Sequence, residues 1–285
     1  MGRHLNCYQL VSDVREGVNE FSTGYLQGTD TSGAFTNTKI LARINEAVRF
    51  LWNLTFVRAP EDYLTSSDLT PVASVITLPA DFMKLRRLEY KASGQKIHQY
   101  NVDQKASLGV TGSKYLYRPY QRKYLRIDQD NVTDQVTAWY FKRPRDIHFG
   151  QAQSGSGSNA LKMPSATGVN EDDFYNGMTV EDITAALVST ISDYVGSTRV
   201  ATVAGTVTAN DWYGLVPEIP EEFHHLVTPK AVLLLKNDPK SPIKATPKDV
   251  ADFNEMLSLA CQAYYGSASS DIPVEEIFLD LPTFY

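Results

Sequence analysis

Two octapeptides far apart in this 285-residue chain follow one plan: Leu78-Pro79-Ala80-Asp81-Phe82-Met83-Lys84-Leu85 and Ile219-Pro220-Glu221-Glu222-Phe223-His224-His225-Leu226. In each, proline holds the preceding aliphatic residue extended and suits a first helical turn, and an acid follows where a helix start is positive. The pattern predicts two strand-to-helix junctions, each with Phe and Leu three apart on one buried face. Neither junction carries a nucleophile, a metal-ligand set or a phosphate loop. The chain is therefore expected to be a part that is assembled, not an enzyme.

Length and apolar content suit one large domain, or a core domain with an insert. Cys7 and Cys261 are the only cysteines. They are too few for a disulfide scaffold and lack CxxC spacing, which points to a reducing compartment and to no metal site. No run of about 18 apolar residues offers a membrane span, and Met1-Gly2-Arg3-His4-Leu5 leads into no secretory signal, so a soluble protein is expected. The net charge of −6 is unevenly spread. From Lys84 to Arg145 there are 14 Lys+Arg against 5 Asp+Glu, whereas the rest carries 13 against 28. A basic middle between acidic ends favours self-association or docking.

Apolar periodicity predicts helices through Leu10, Val11, Val14, Val18 and Phe21, and through Ile40, Leu41, Ile44, Val48, Leu51 and Trp52, together a helical hairpin. Strands are expected at Val75–Leu78, Leu85–Tyr90, Tyr115–Tyr117, Tyr124–Ile127 and Val136–Phe141, forming a small antiparallel sheet. Gly150 to Asn159 reads as a flexible link or exposed loop. Beyond it, Met178–Thr184, Leu187–Ser192 and Arg199–Val203 read as strands, the last two joined through Val195-Gly196-Ser197. After the second junction, a helix runs from Phe223 to Leu235, with Pro229 kinking it or marking its true start. Thr246-Pro247-Lys248-Asp249 caps a last helix that reaches Gly266. The expected fold is α+β: a helical-bundle core from 1–60 and 217–266, an antiparallel β region at 61–149, a β-rich inserted domain at 150–216, and an extended C-terminal tail at 267–285.

Few residues suggest chemistry. His224 and His225 are adjacent, so on a helix they point about 100° apart and make a poor metal pair. Glu171-Asp172-Asp173 is read as a solvated acidic loop more than a cation site. Gly109-Val110-Thr111-Gly112-Ser113-Lys114 and Gly155-Ser156-Gly157-Ser158 lack the ending of a phosphate loop. No cofactor, metal ligand or catalytic residue is assigned. The strip from Lys114 to Arg126 interleaves Tyr115, Tyr117, Tyr120 and Tyr124 with Lys114, Arg118, Arg122, Lys123 and Arg126. It fits a two-sided strand, a charged contact to a neighbouring subunit, or a nucleic-acid platform on which tyrosines stack against bases. The tail holds four acids, no basic residue and Ile272, Val274, Ile277, Phe278, Leu279, Leu281, Phe284 and Tyr285. So many large apolar residues point to a segment that folds onto a partner, against the alternative of packing back on its own domain.

The order of these pieces resembles a head-to-tail adaptor (connector, head-completion) protein of tailed bacteriophages. The resemblance rests on Ala42-Arg43-Ile44-Asn45-Glu46-Ala47, Ile76-Thr77-Leu78-Pro79-Ala80-Asp81-Phe82, Trp139-Tyr140-Phe141-Lys142-Arg143-Pro144 and Ile219-Pro220-Glu221-Glu222-Phe223-His224-His225-Leu226-Val227, followed by a final helix. It covers about residues 1 to 149 and 217 to 266. Asp173-Phe174-Tyr175-Asn176-Gly177-Met178 and Ile191-Ser192-Asp193-Tyr194-Val195-Gly196-Ser197-Thr198, in the insert, are similar to β modules of other phage virion proteins. The resemblance implies a homo-oligomeric, dodecameric ring docked under the portal. It implies a site in the virion neck, host cytoplasm during assembly, a tail or nozzle protein below, and DNA passing through the lumen without specific binding. The family's C-terminal segments reach toward the portal, which implies that role for Ile272 to Tyr285. The alternative reading of function is a nucleic-acid-binding module using Lys114 to Arg126.

Overall fold

The computed structural model describes residues 5–18, 35–100, 113–121 and 123–265. Four α-helices lie among them: α1 (Cys7–Gly17), α2 (Asn37–Arg58), α3 (His224–Lys236) and α4 (Pro247–Tyr265). The chain forms two compact units, one from Met1–Asn53 with Pro144–Tyr285 and the other from Leu54–Arg143. The first boundary falls inside α2, so one continuous helix belongs partly to each unit.

The Leu54–Arg143 unit is a sheet curled around its own core. Its strands are β1 (Leu64–Leu69), β2 (Val75–Thr77), β3 (Phe82–Tyr90), β4 (Lys96–Gln99), β5 (Leu116–Tyr120), β6 (Tyr124–Ile127) and β7 (Val136–Lys142). They run in the order β1-β7-β3-β4-β5-β6-β2, antiparallel except for the β4–β5 pair. Side chains alternate across a strand, so Ile76, Leu88, Ile97, Tyr117, Leu125, Ile127, Val136 and Tyr140 fall on one buried face. The tyrosine hydroxyls of that face find partners at its margin: Tyr90 donates to the Lys114 carbonyl at 2.6 Å and Tyr140 to Asp81 Oδ1 at 2.9 Å.

The other unit carries two further sheets. Strands β8 (Phe149–Gln151), β9 (Ser158–Lys162), β10 (Thr179–Asp182), β11 (Leu187–Thr190), β12 (Asp193–Val195), β13 (Val200–Thr206) and β14 (Trp212–Leu215) pair in the orders β11-β10-β14-β8 and β12-β13-β9, all antiparallel. Helix α1 packs against α3 and against the β14–β8 edge. Two glycines make those contacts close: a Cβ on Gly17 would lie 2.7 Å from Val232 Cγ2, and one on Gly214 would lie 2.9 Å from the Tyr8 amide. Asn6 caps α1 through the Gln9 amide at 3.0 Å and donates to Glu181 of β10 at 2.6 Å, fixing the helix start on the sheet. At α4, Thr246 and Asp249 exchange a capping box: Thr246 Oγ1 accepts from the Asp249 amide at 3.2 Å, and Asp249 Oδ2 accepts from the Thr246 amide at 2.7 Å.

The expected helical-bundle core is not what forms. Among the described residues 14 strands in three sheets organise the molecule, and the helices are few. The physical reason is visible at α1, whose buried stripe of Cys7, Leu10, Val11 and Val14 rests on strand as well as on helix. An apolar stripe read from sequence specifies that a helix is covered, not by what.

Three local expectations also change. Leu78-Pro79-Ala80-Asp81-Phe82 is a tight turn from β2 into β3, with Phe82 N donating to the Pro79 carbonyl at 3.0 Å, and no helix follows. Gly150 to Asn159 is paired backbone rather than a loose link: Ala152 is fully buried and exchanges backbone bonds with Asp211 and Asn210. β11 and β13 belong to different sheets, because Val195-Gly196-Ser197 leads out of β12, the actual partner of β13. Helix α3 starts at His224 and runs through Pro229.

Candidate functional site

The outer face of the seven-stranded sheet gathers the strongest charge. On β5 and β6 the inward residues are Tyr117, Leu125 and Ile127, which leaves Arg118 directly opposite Arg126, and Tyr120 opposite Tyr124, on the outward side. Arg126 meets Asp130 at 3.0 Å, an exposed pair of little energetic weight. Lys114 stands apart, over the rings of Tyr90 and Tyr115 at 5.7 and 5.3 Å. Lys123 lies in the β5–β6 turn, where its carbonyl accepts from the Leu78 amide. Arg122 lies outside the described residues. The strip read from sequence as one platform is thus divided: Arg118 and Arg126 come together, and Lys114 joins the aromatic margin.

Sequence reasoning missed the neighbouring half of the face. The β3–β7 register slips between Leu85 and Arg87, and this bulge leaves Arg86 and Arg87 both exposed. β3 pairs with β4 only at Leu88–Ile97 and Glu89–Lys96. Beyond that point the strands part, and a cavity of about 440 Å³ opens, with Arg86, Arg87, Lys96, His98 and Gln99 on its walls and Leu88, Ile97 and Tyr117 lining it from the core side. Glu89 beside it is already engaged: Arg87 pairs with its carboxylate and the Trp139 indole N–H donates to it at 2.9 Å. Among the described residues Arg86, Lys96 and Arg118 have no acidic partner. The signal for this site was the doublet Arg86-Arg87, which breaks the alternation of the strand Phe82–Tyr90 and is legible only once a bulge is admitted.

The second concentration of polar groups is internal to the other unit. Arg145 and Glu218 form a buried ion pair at 2.6 Å, and Arg145 also donates to the carbonyls of Phe174 at 2.8 Å and Asn176 at 2.7 Å. His148 is buried between Tyr175 and Tyr213, ring centroids 5.3 and 5.8 Å away, and neither ring nitrogen has a hydrogen-bond partner. Burial lowers its pKa to about 4, so the ring is neutral at physiological pH. The arrangement is a structural clamp, since Arg145 ties its own segment to two others, one at Phe174 and Asn176 and one at Glu218.

The remaining candidates resolve into packing roles. His224 is buried with Nε2 2.9 Å from the Ile219 carbonyl, whereas His225 faces outward. In the acidic triplet, Asp172 accepts from the Gly196 amide at 2.8 Å and Asp173 from the Asn176 side chain at 2.7 Å, so both fasten turns. Cys7 and Cys261 are free and buried, and burial pushes the Cys7 thiol pKa well up. Ile272, Val274, Ile277, Phe278, Leu279, Leu281, Phe284 and Tyr285 lie outside the described residues. Among the described residues no group of three or more His, Cys, Asp and Glu is placed to hold a metal ion, and no helix is long and apolar enough to cross a membrane. A scan against protein-family models matches none, and a search of curated proteins finds no similar sequence.

Proposed function

We propose that this chain is a structural adaptor that assembles into a ring, docks under the portal of a tailed phage and extends the DNA channel toward the tail. The observation that carries the assembling part is the division of charge between the units. Leu54–Arg143 holds 14 Lys+Arg against 9 Asp+Glu, a net +5, which leaves −11 for the other unit. Units of opposite sign on one chain favour head-to-tail contacts between copies, and a heterologous contact that closes gives a ring. The phage setting rests on the resemblance of the four quoted motifs and their order. In this reading Ile272 to Tyr285 supplies the contact to the portal through burial of its apolar side chains.

The test is co-sedimentation of the full chain with purified portal rings. Retention with the portal, lost on deletion of residues 267–285, is the expected result. A chain that ignores the portal with its C-terminal segment intact removes the reading.

A further inference from the structure

From the cavity between β3 and β4 we infer a binding site for single-stranded nucleic acid, one that stands on its own whether or not the chain is an adaptor. Three features of the site converge. The walls supply cations: Arg86 and the Glu89-paired Arg87 from the bulged strand face Lys96 from β4, with the His98 ring beside it, across the gap where the strands stop pairing. The floor is apolar and aromatic, closed from the core side by Leu88, Ile97 and Tyr117, themselves only 1%, 4% and 7% exposed, beneath an opening of about 440 Å³. A phosphate needs the first feature and a base needs the second.

The third feature is continuity. Side chains alternate, so Lys96 and His98 on β4, Arg118 on β5 and Arg126 on β6 share the outward face, on strands about 5 Å apart. A strand with one base in the cavity can therefore lay its backbone along a cationic track, past the half-exposed rings of Tyr120 and Tyr124. The Trp139 indole, 37% exposed beside Arg87, offers a stacking surface at the other end.

The same features decide between occupants. A duplex keeps its bases stacked inside the helix, so it engages the track but leaves the floor empty. A protein interface is expected to present an apolar core inside a polar rim. Here the outer face has charge throughout, and the exposed large apolar side chains on its strands, among the described residues, are Met83 and Trp139. Strong positive charge with isolated planar rings is the composition of a nucleic-acid surface.

The experiment is fluorescence anisotropy of the full chain with a labelled 12-nucleotide single strand. Parallel arms use the matching duplex and a synthetic acidic peptide of residues 267–285. The single strand is expected to bind best, with affinity falling about 10- to 50-fold between 50 and 200 mM salt, as three or four phosphate contacts require. Arg86→Ala with Lys96→Ala is expected to weaken it at least tenfold, while Arg49→Ala, an exposed residue paired with Asp146 in the other unit, leaves it unchanged. Far-UV circular dichroism of the double variant checks that the sheet persists. Lys96→Arg, which keeps the charge, is the second variant and is expected to bind as wild type. Absent binding at 50 mM salt, equal affinity for the duplex, or preference for the acidic peptide each overturns the proposal. The last outcome would make the face a contact between copies.

Discussion

The two octapeptides built to one plan end up in opposite secondary structures. After Pro220 the backbone makes a 3-10 turn at Glu221–Phe223 and becomes α3, whereas after Pro79 it turns once and enters β3. Both turns close with the same bond, from Phe223 N to the Pro220 carbonyl at 2.9 Å and from Phe82 N to the Pro79 carbonyl at 3.0 Å. What separates them lies downstream and far away in sequence. Beyond Phe223, Leu226, Val227, Ala231 and Leu235 recur at helical spacing and are all buried. Beyond Phe82, the residues through Tyr90 find an open edge on β7, and pairing with a strand some 55 residues away settles the matter. A proline turn thus sets where an element begins, and the partner available decides which element it is.

The junctions also differ in how they are anchored, and this gives the largest expected effect. Glu218, immediately before the helical junction, is half of the buried pair with Arg145, 8% exposed against 5%. Glu218→Ala strands the guanidinium in the interior and is expected to cost about 3–5 kcal/mol in chemical unfolding. A loss below about 1 kcal/mol would show that the clamp does not hold this junction.

The paired phenylalanines sharpen the comparison further. Phe223 is fully buried and packs its ring edge against Tyr264 at 5.4 Å, so Phe223→Ala is expected to cost about 3–5 kcal/mol. Phe82 is only partly buried against Tyr140, so Phe82→Ala is expected to cost about 1–2 kcal/mol. Equal costs would mean that the strand junction is as deeply fixed as the helical one.

Acid separates the two units next. His148 has a folded-state pKa of about 4, below its unfolded value of 6.5, because burial disfavours the imidazolium. Between those values the unfolded chain takes up the proton and the folded chain does not. Stability is therefore full above about pH 6.5 and is lost as the pH falls toward 4, by roughly 3 kcal/mol for this group. Hydrogen exchange is expected to show the unit containing His148 opening first on acidification, and His148→Leu is expected to flatten that pH dependence. Loss of protection in Leu54–Arg143 ahead of the other unit would contradict this order.

What the sequence revealed follows from what is local. The helices α1, α2 and α4 were legible because their stripes and caps, Thr36 and Thr246 among them, lie within a few residues of one another. Strands β6 and β7 were legible from β-branched and aromatic runs. β1, Leu-Thr-Ser-Ser-Asp-Leu, was not, because pairing with β7 rather than apolar content makes it a strand. The bundle reading failed for a related reason, since a stripe does not name its cover. At the candidate site, Arg118 and Arg126 were visible as a charged strip. Lys96 and His98 were not, because Lys-Ile-His-Gln carries a single apolar residue and no period, and Arg86 turns outward only through a bulge set by β7.

In the proposed ring, two units of opposite charge bind copies of the chain to one another. The direct measurement is molar mass by light scattering across concentration and salt. One closed oligomer of fixed stoichiometry is expected at low salt, weakening as salt screens the contact. A mass of 31.8 kDa at every concentration and at the lowest salt would contradict it.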